Sequence, residues 1–283
     1  MKGTFMELGR KQLLYLVKTT NFGVYLAEDN DPNADEKVLL PAKQVPEGAS
    51  VGDRLMAFLY KDSQDRLIAT TWEPMLQVNE TRVLKVKQVS KIGAFLDWGL
   101  EKDLLLPYHE QTVRVKEGDE VLAALYVDKS SRLCATMKVY PYLLSNSPYG
   151  IGDSVKGRVY EKSDKLGTFV AVDDKYYGLI PAREGTTDAR PGEVLELRVT
   201  GVREDGKLNV SARKEAYLQI DEDAKMILGV LDEFAGELPF DDKASPETIR
   251  REFGLSKNAF KRAVGRLLKE GSIVIDSGHI RRA

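Results

Sequence analysis

Apolar and polar side chains alternate from Arg82 to Val89, the period of a strand with one buried face. Ser90 to Gly93 reads as a turn, and Ala94 to Trp98 as a second strand. Asp103 to Pro107 is a short third. Val121 to Val127 is a longer fourth, joined by the tight polar turn Asp128 to Ser131 to a fifth, Arg132 to Met137. Five short strands with one long connection between the third and fourth predict a five-stranded Greek-key barrel.

That pattern occurs three times. Phe22-Gly23-Val24-Tyr25-Leu26, Ile92-Gly93-Ala94-Phe95-Leu96 and Leu166-Gly167-Thr168-Phe169-Val170 open the repeats. Each phrase leads to an apolar run ending at Pro41, Pro107 or Pro181. Gly-acid turns follow at Gly52, Gly118 and Gly192, 66 and 74 residues apart. Short closing strands start near Arg66, Arg132 and Lys207. Repetition of four anchors in one order sets the architecture. The expected fold is mainly β with a C-terminal α+β part. Three tandem OB-fold barrels over 1–75, 76–145 and 146–215 precede a winged-helix domain over 216–283. The third barrel takes Val155 to Glu161 as its first strand and Leu195 to Val199 as its fourth. Asp29 to Glu36 reads as an exposed polar insertion in the first barrel. Asn146 to Gly150 is the expected linker.

The last stretch changes period. Ala224, Ile227, Leu228, Leu231 and Phe234 recur at helical spacing. Ser245 followed by Pro246 is a helix start, and Gly254 a stop. Ser256 caps a longer helix reaching Lys269, with Phe260, Val264, Leu267 and Leu268 inward. Ser272 to Asp276 and Gly278 to Arg281 read as a hairpin. Helix, helix, turn, helix and a two-stranded wing make a winged helix, with the helix after Ser256 in the recognition position.

Net charge is −2 over 283 residues, so no global basicity marks a polyanion partner. The distribution says more. Residues 221–242 hold 1 basic and 8 acidic side chains, whereas 243–283 hold 10 basic and 4 acidic. The final forty residues are a local cationic patch of the kind that meets nucleic acid. Nothing approaches the roughly 18 apolar residues of a membrane helix. Met1 to Glu7 lacks the apolar core of a signal peptide, so cytoplasm is the expected compartment. A single cysteine, Cys134, excludes an intramolecular disulfide and a cysteine-rich zinc site.

The ordered motifs resemble the S1 RNA-binding domain over roughly residues 5–214. In that family the aromatic before the first glycine and the one two residues after it stack on bases. The resemblance implies this role for Phe22 with Tyr25, and for Phe95 and Phe169, while Ile92 and Leu166 replace the first aromatic in the later repeats. As aromatics in short strands, Tyr25, Phe95 and Phe169 equally suit a barrel core. Proline stands at 41, 107 and 181 where the family often has histidine. Strand alternation puts Lys85 with Lys87, and Lys156 with Arg158, on shared faces. Lys91 and Lys165 precede the glycine turns at matching positions beside the aromatics. Lys138 and Arg213 match the family's closing basic residue. In the tail, Lys257, Lys261, Arg262 and Arg266 are candidate phosphate contacts. The order of three such barrels and a winged helix resembles the bacterial conserved virulence factor B family. That resemblance implies an RNA-binding regulator of gene expression, with single-stranded RNA as its partner.

No catalytic constellation is legible. His109 and His279 share no motif, no Walker loop or dinucleotide fingerprint is present, and acids are spread over turns. No enzyme, metal or cofactor is expected. Two other readings stay open: a transcription regulator whose winged helix contacts DNA, and a scaffold whose barrels bind protein.

Overall fold

The computed structural model describes residues 6–184, 188–212 and 216–283. Residues up to Ala212 form one compact unit, and Arg213–Ala283 form a second.

The first barrel comprises β1 (Lys11–Thr20), β2 (Gly23–Ala27), β3 (Val38–Pro41), β4 (Arg54–Lys61) and β5 (Leu67–Thr70). Their order is β1-β2-β3-β5-β4, and parallel pairing of Leu39 with Ile68 helps close it. The second contains β6 (Thr81–Val89), β7 (Gly93–Asp97), β8 (Leu104–Pro107), β9 (Glu120–Val127) and β10 (Leu133–Thr136). It keeps the same order but stays an open five-stranded sheet, with β8 and β10 at its edges. The third, β11 (Ser154–Ser163), β12 (Gly167–Val172), β13 (Tyr176–Pro181), β14 (Val194–Val202) and β15 (Leu208–Ser211), closes like the first. The polar insertion Asp29 to Glu36 is exposed at all but Ala34.

Alternation fills each barrel. Leu14, Leu16, Leu26, Leu40 and Leu59 line the first, and Val159, Val170, Val199 and Val210 the third. Each fully buried aliphatic side chain stabilises by about 1.5–3 kcal/mol. A 3-10 turn follows the third strand of each barrel. In the first two it is tied to the fifth strand, as Thr70 Oγ1 donates to Gln44 Oε1 and Thr136 Oγ1 to Glu110 Oε2, both at 2.6 Å.

Neighbouring barrels share apolar interiors. Phe58 and Tyr60 of β4 pack into the second barrel's core, where Phe58 meets Trp98 edge to face at 5.8 Å. Between the second and third barrels, Leu122, Val139, Leu143, Tyr160 and Ala171 form a buried cluster of their own. The expected linker at 146–150 is therefore preceded by a packed segment, Val139 to Leu144, whose last residue pairs with Tyr176 of β13.

The second unit contains α1 (Ala216–Glu233), β16 (Glu237–Leu238), α2 (Pro246–Phe253), α3 (Lys257–Lys269), β17 (Ile273–Asp276) and β18 (His279–Arg282). Ser245 Oγ accepts from Thr248 N at 3.1 Å and Ser256 Oγ from Ala259 N at 3.3 Å, so both helices start on serine caps. Gly254 ends α2 in the left-handed region, at φ 65°. Two inward assignments differ from the sequence expectation. Phe234 lies beyond the end of α1 and is exposed, and Leu268 is exposed while Ala263 takes the buried place on α3. The short strand β16, which pairs Leu238 with Ile280 and widens the wing, carries too few residues to show a period.

Candidate nucleic-acid interface

The three glycine phrases build the same device. Gly23, Gly93 and Gly167 adopt φ of 144°, 152° and 120°. A Cβ there would lie 2.1, 2.3 and 2.0 Å from the carbonyl oxygens of Leu40, Leu106 and Ile180. Only glycine permits that close approach of the second strand to the third. The preceding residue is pushed outward, leaving Phe22 81%, Ile92 61% and Leu166 59% exposed. A hydroxyl holds each tip: Thr20, Ser90 and Ser163 Oγ accept from the backbone N–H of Phe22, Ile92 and Leu166 at 3.3 Å.

Two residues on, Tyr25, Phe95 and Phe169 all sit between inward-facing neighbours and are half-buried. They lie on the outer wall, not in the barrel interiors, because each alternates with buried residues such as Val24 and Leu26. A β-bulge precedes the cross-strand partner in every repeat. That partner is Lys18 for Tyr25, Gln88 for Phe95 and Glu161 for Phe169. The charge beside the aromatic thus runs from positive through neutral to negative.

Surroundings separate the three further. Tyr25 joins none of the apolar clusters recorded among the described residues, and Lys18 is exposed with no ion pair recorded there. Phe95 lines a cleft of about 460 Å³ with Trp98 and the β4–β5 hairpin of the first barrel. Phe169 packs at the edge of the cluster formed by Val139, Leu143 and Tyr160, its ring 6.2 Å from that of Tyr160. The segment leading into the third barrel therefore covers the face on which Phe169 was expected to stack bases. Lys18 was missed in the sequence because the bulge at Val17 breaks the strand alternation that would have placed it beside Tyr25.

The cations divide similarly. Lys85, Lys91 and Lys165 are exposed, with no ion pair recorded among the described residues. Lys87 pairs with Asp103 at 2.7 Å, Lys138 with Glu110 at 3.6 Å and Lys156 with Glu196 at 3.5 Å. Pairs of this kind on an exposed lysine contribute little to stability. Arg158 differs. Its side chain is only 16% exposed, its Nε and Nη2 donate to Asp174 at 2.7 and 3.2 Å, and its Nη1 donates to the Gly192 carbonyl. Expected beside Lys156 as a phosphate contact, it is instead a brace inside the third barrel. Arg213 lies outside the described residues.

On the winged helix, Lys257, Lys261 and Arg262 occupy the first turns of α3, with no ion pair recorded among the described residues. Arg266 was expected to join them. It forms an ion pair with Asp221 on α1 at 2.7 Å and donates to Glu270 at 2.9 Å, so helix packing uses its charge. His109 is exposed in the 3-10 turn after β8, at the place Lys43 and Arg183 hold in the other barrels. Cys134 is buried, and burial, reinforced by the Asp128 carboxylate, pushes its thiol up to about 11. Among the described residues no cluster of His, Cys, Asp or Glu has a metal-holding arrangement. No helix among them is long and apolar enough to cross a membrane.

A run of S1-type barrels followed by a winged helix is the class these elements define, and known domains agree. The S1 domain matches residues 8–72 and 80–138, the second domain of virulence regulatory factor CvfB matches 150–214, and a CvfB-like winged helix domain matches 225–281. Conserved virulence factor B of Staphylococcus saprophyticus is 31% identical over 259 residues, 88% of this chain and 86% of that protein. Its Staphylococcus aureus counterpart is 29% identical over 286 residues, 98% of this chain and 91% of its own. The chain belongs to the conserved virulence factor B family. A crystal structure of a multidomain protein with nucleic acid binding domains from Streptococcus pneumoniae is 27% identical, with 98% of each chain covered and a TM-score of 0.49.

Proposed function

We propose that the protein binds single-stranded RNA, chiefly through the open face of the first barrel, and acts in post-transcriptional control of gene expression. The observation carrying this reading is the trio of Phe22, Tyr25 and Lys18. A protruding aromatic at the turn tip precedes a strand pair of a half-exposed ring and a cation without an ion pair among the described residues. A ring face stacks on any base, and the ammonium meets the backbone phosphate. The three barrels are not equal sites. Packing between them argues for one rigid platform, in which the first barrel leads, the second adds a cleft and the third braces.

Labelled single-stranded RNA, titrated by fluorescence anisotropy across a salt series, tests the reading. Log K falling with log salt at about −0.7 per neutralised phosphate supports it. Phe22→Ala with Tyr25→Ala should weaken binding by about 1–3 kcal/mol per lost stack. Tighter binding to duplex DNA, insensitive to that double substitution, favours instead a DNA contact through Lys257, Lys261 and Arg262. Binding to neither at low salt leaves the protein scaffold.

A further inference from the structure

Resting on the RNA reading, we propose that the cleft between the first and second barrels is a nucleotide site built by both. In it, a base stacks on Phe95 while the β4–β5 hairpin of the first barrel contacts the base edge and phosphate. The cleft's volume, about 460 Å³, lies within the range of small-ligand sites. Its floor is aromatic: Phe95 stands half-exposed on the outer wall of β7, and Trp98 closes the space behind it. Trp98 is fixed there, as its Nε1 donates to the Lys102 carbonyl at 2.6 Å.

The opposite wall is polar and comes from the other barrel. The hairpin turn after β4 is held by Asp62, which accepts from the backbone N–H groups of Gln64 and Arg66 at 2.8 and 3.0 Å. These bonds leave the exposed Gln64 side chain with no partner recorded among the described residues. A side-chain amide has both donor and acceptor, as a base edge requires. The hairpin cannot swing away freely. Arg132 donates to Asp65 at 2.6 Å, and Lys102 Nζ donates to the Asp62 carbonyl at 2.8 Å, both across the gap between barrels.

Charge favours an anion. Lys61, Lys102 and Arg132 line the cleft with Asp65 and Asp103. Arg132 neutralises Asp65, and Lys87 from outside neutralises Asp103. Lys102 donates to the Lys61 and Asp62 carbonyls, and among the described residues neither Lys102 nor Lys61 has an ion pair. Two uncompensated ammonium groups beside a ring face match one phosphate and one base.

The test uses the full chain with Trp72→Phe, which leaves Trp98 as the sole tryptophan. Octauridylate RNA is titrated at low salt while tryptophan emission and anisotropy of the labelled RNA are read together. The expected result is saturable quenching of Trp98. Phe95→Ala should remove the quenching and weaken binding roughly 5- to 150-fold. Gln64→Ala, on an exposed turn where folding is insensitive, should weaken binding with the protein otherwise unchanged. Phe22→Ala/Tyr25→Ala should shift the titration to higher RNA concentration yet reach the same quenching amplitude. RNA binding that leaves Trp98 emission unchanged, and is unaffected by Phe95→Ala and Gln64→Ala, overturns the cleft and leaves the first-barrel reading standing. Absence of RNA binding by the parent protein overturns both.

Discussion

Tyr160 and Phe169 face each other at 6.2 Å with ring planes inclined at 38°, and this pair turns the third barrel from a binding face into a joint. Tyr160 is the extra residue of the bulge in β11, its hydroxyl is buried, and its ring shares a cluster with Val139 and Leu143. Phe169→Ala should therefore lower thermal stability, by about 1–3 kcal/mol for a half-buried ring. RNA affinity should stay unchanged. Calorimetry and anisotropy on one preparation check both halves.

Tyr25→Ala should give the opposite pattern. Its ring lies outside every recorded apolar cluster, so stability should change by under about 1 kcal/mol while RNA affinity falls by about 1–3 kcal/mol. Equal stability losses for Tyr25→Ala and Phe169→Ala would refute the distinction between an open and a covered face.

The contrast marks what the sequence discloses. Strands, helix caps and the three glycine turns are local: Ser245, Gly254 and Gly93 carry their own reasons in backbone geometry and nearby atoms. Which outer wall stays open is not local. Phe58 and Tyr60 belong to a strand of the first barrel but pack into the core of the second. Val139 and Leu143, just before the expected linker at 146–150, pack with Tyr160 against Phe169 of the next barrel. The bulge residues Val17, Lys87 and Tyr160 occupy one structural position with three different fates, so the repeats cannot be read off one another. The same limit explains Arg158, paired with Asp174 16 residues away, and the tie of Arg266 to Asp221 45 residues away.

Arg158→Ala should destabilise the first unit without altering RNA affinity. Asp174 would lose its bidentate partner in a partly buried site, at a cost of about 1–3 kcal/mol. Asp174 also accepts the Thr81 hydroxyl through its carbonyl at 2.7 Å, so the loss extends to the joint between the second and third barrels. Arg158→Lys should recover little, because an ammonium cannot reproduce the planar fork. Chemical denaturation monitored by circular dichroism, beside RNA anisotropy, measures both.

Cys134 offers a test by pH. Its thiol is held neutral by burial up to about 11, whereas an unfolded cysteine ionises near about 8.5. At pH 8 the native protein should react with iodoacetamide far more slowly than the urea-unfolded chain. The neutral thiol favours the fold only while it stays protonated. This contribution is complete below the unfolded value and is lost as pH rises through the folded one. Rapid native alkylation at pH 8 would show that the strand β10 is open to solvent.

The winged helix separates charge that grips from charge that packs. Lys257, Lys261 and Arg262 have no ion pair among the described residues, while Arg266 pairs with Asp221 and Glu270. Replacing the first three together with alanine should flatten the salt dependence of nucleic-acid binding by about 0.7 per lost contact on single strands, or about 0.9 on duplex DNA. The value of the change reports which polymer α3 touches. Folding should be preserved, since these side chains lie off the buried face of Phe260, Ala263, Val264 and Leu267. Arg266→Ala should instead loosen α3 from α1 and lower the melting temperature, with the salt slope unchanged. A triple substitution that leaves the slope untouched on both polymers would assign this cationic face to a protein partner.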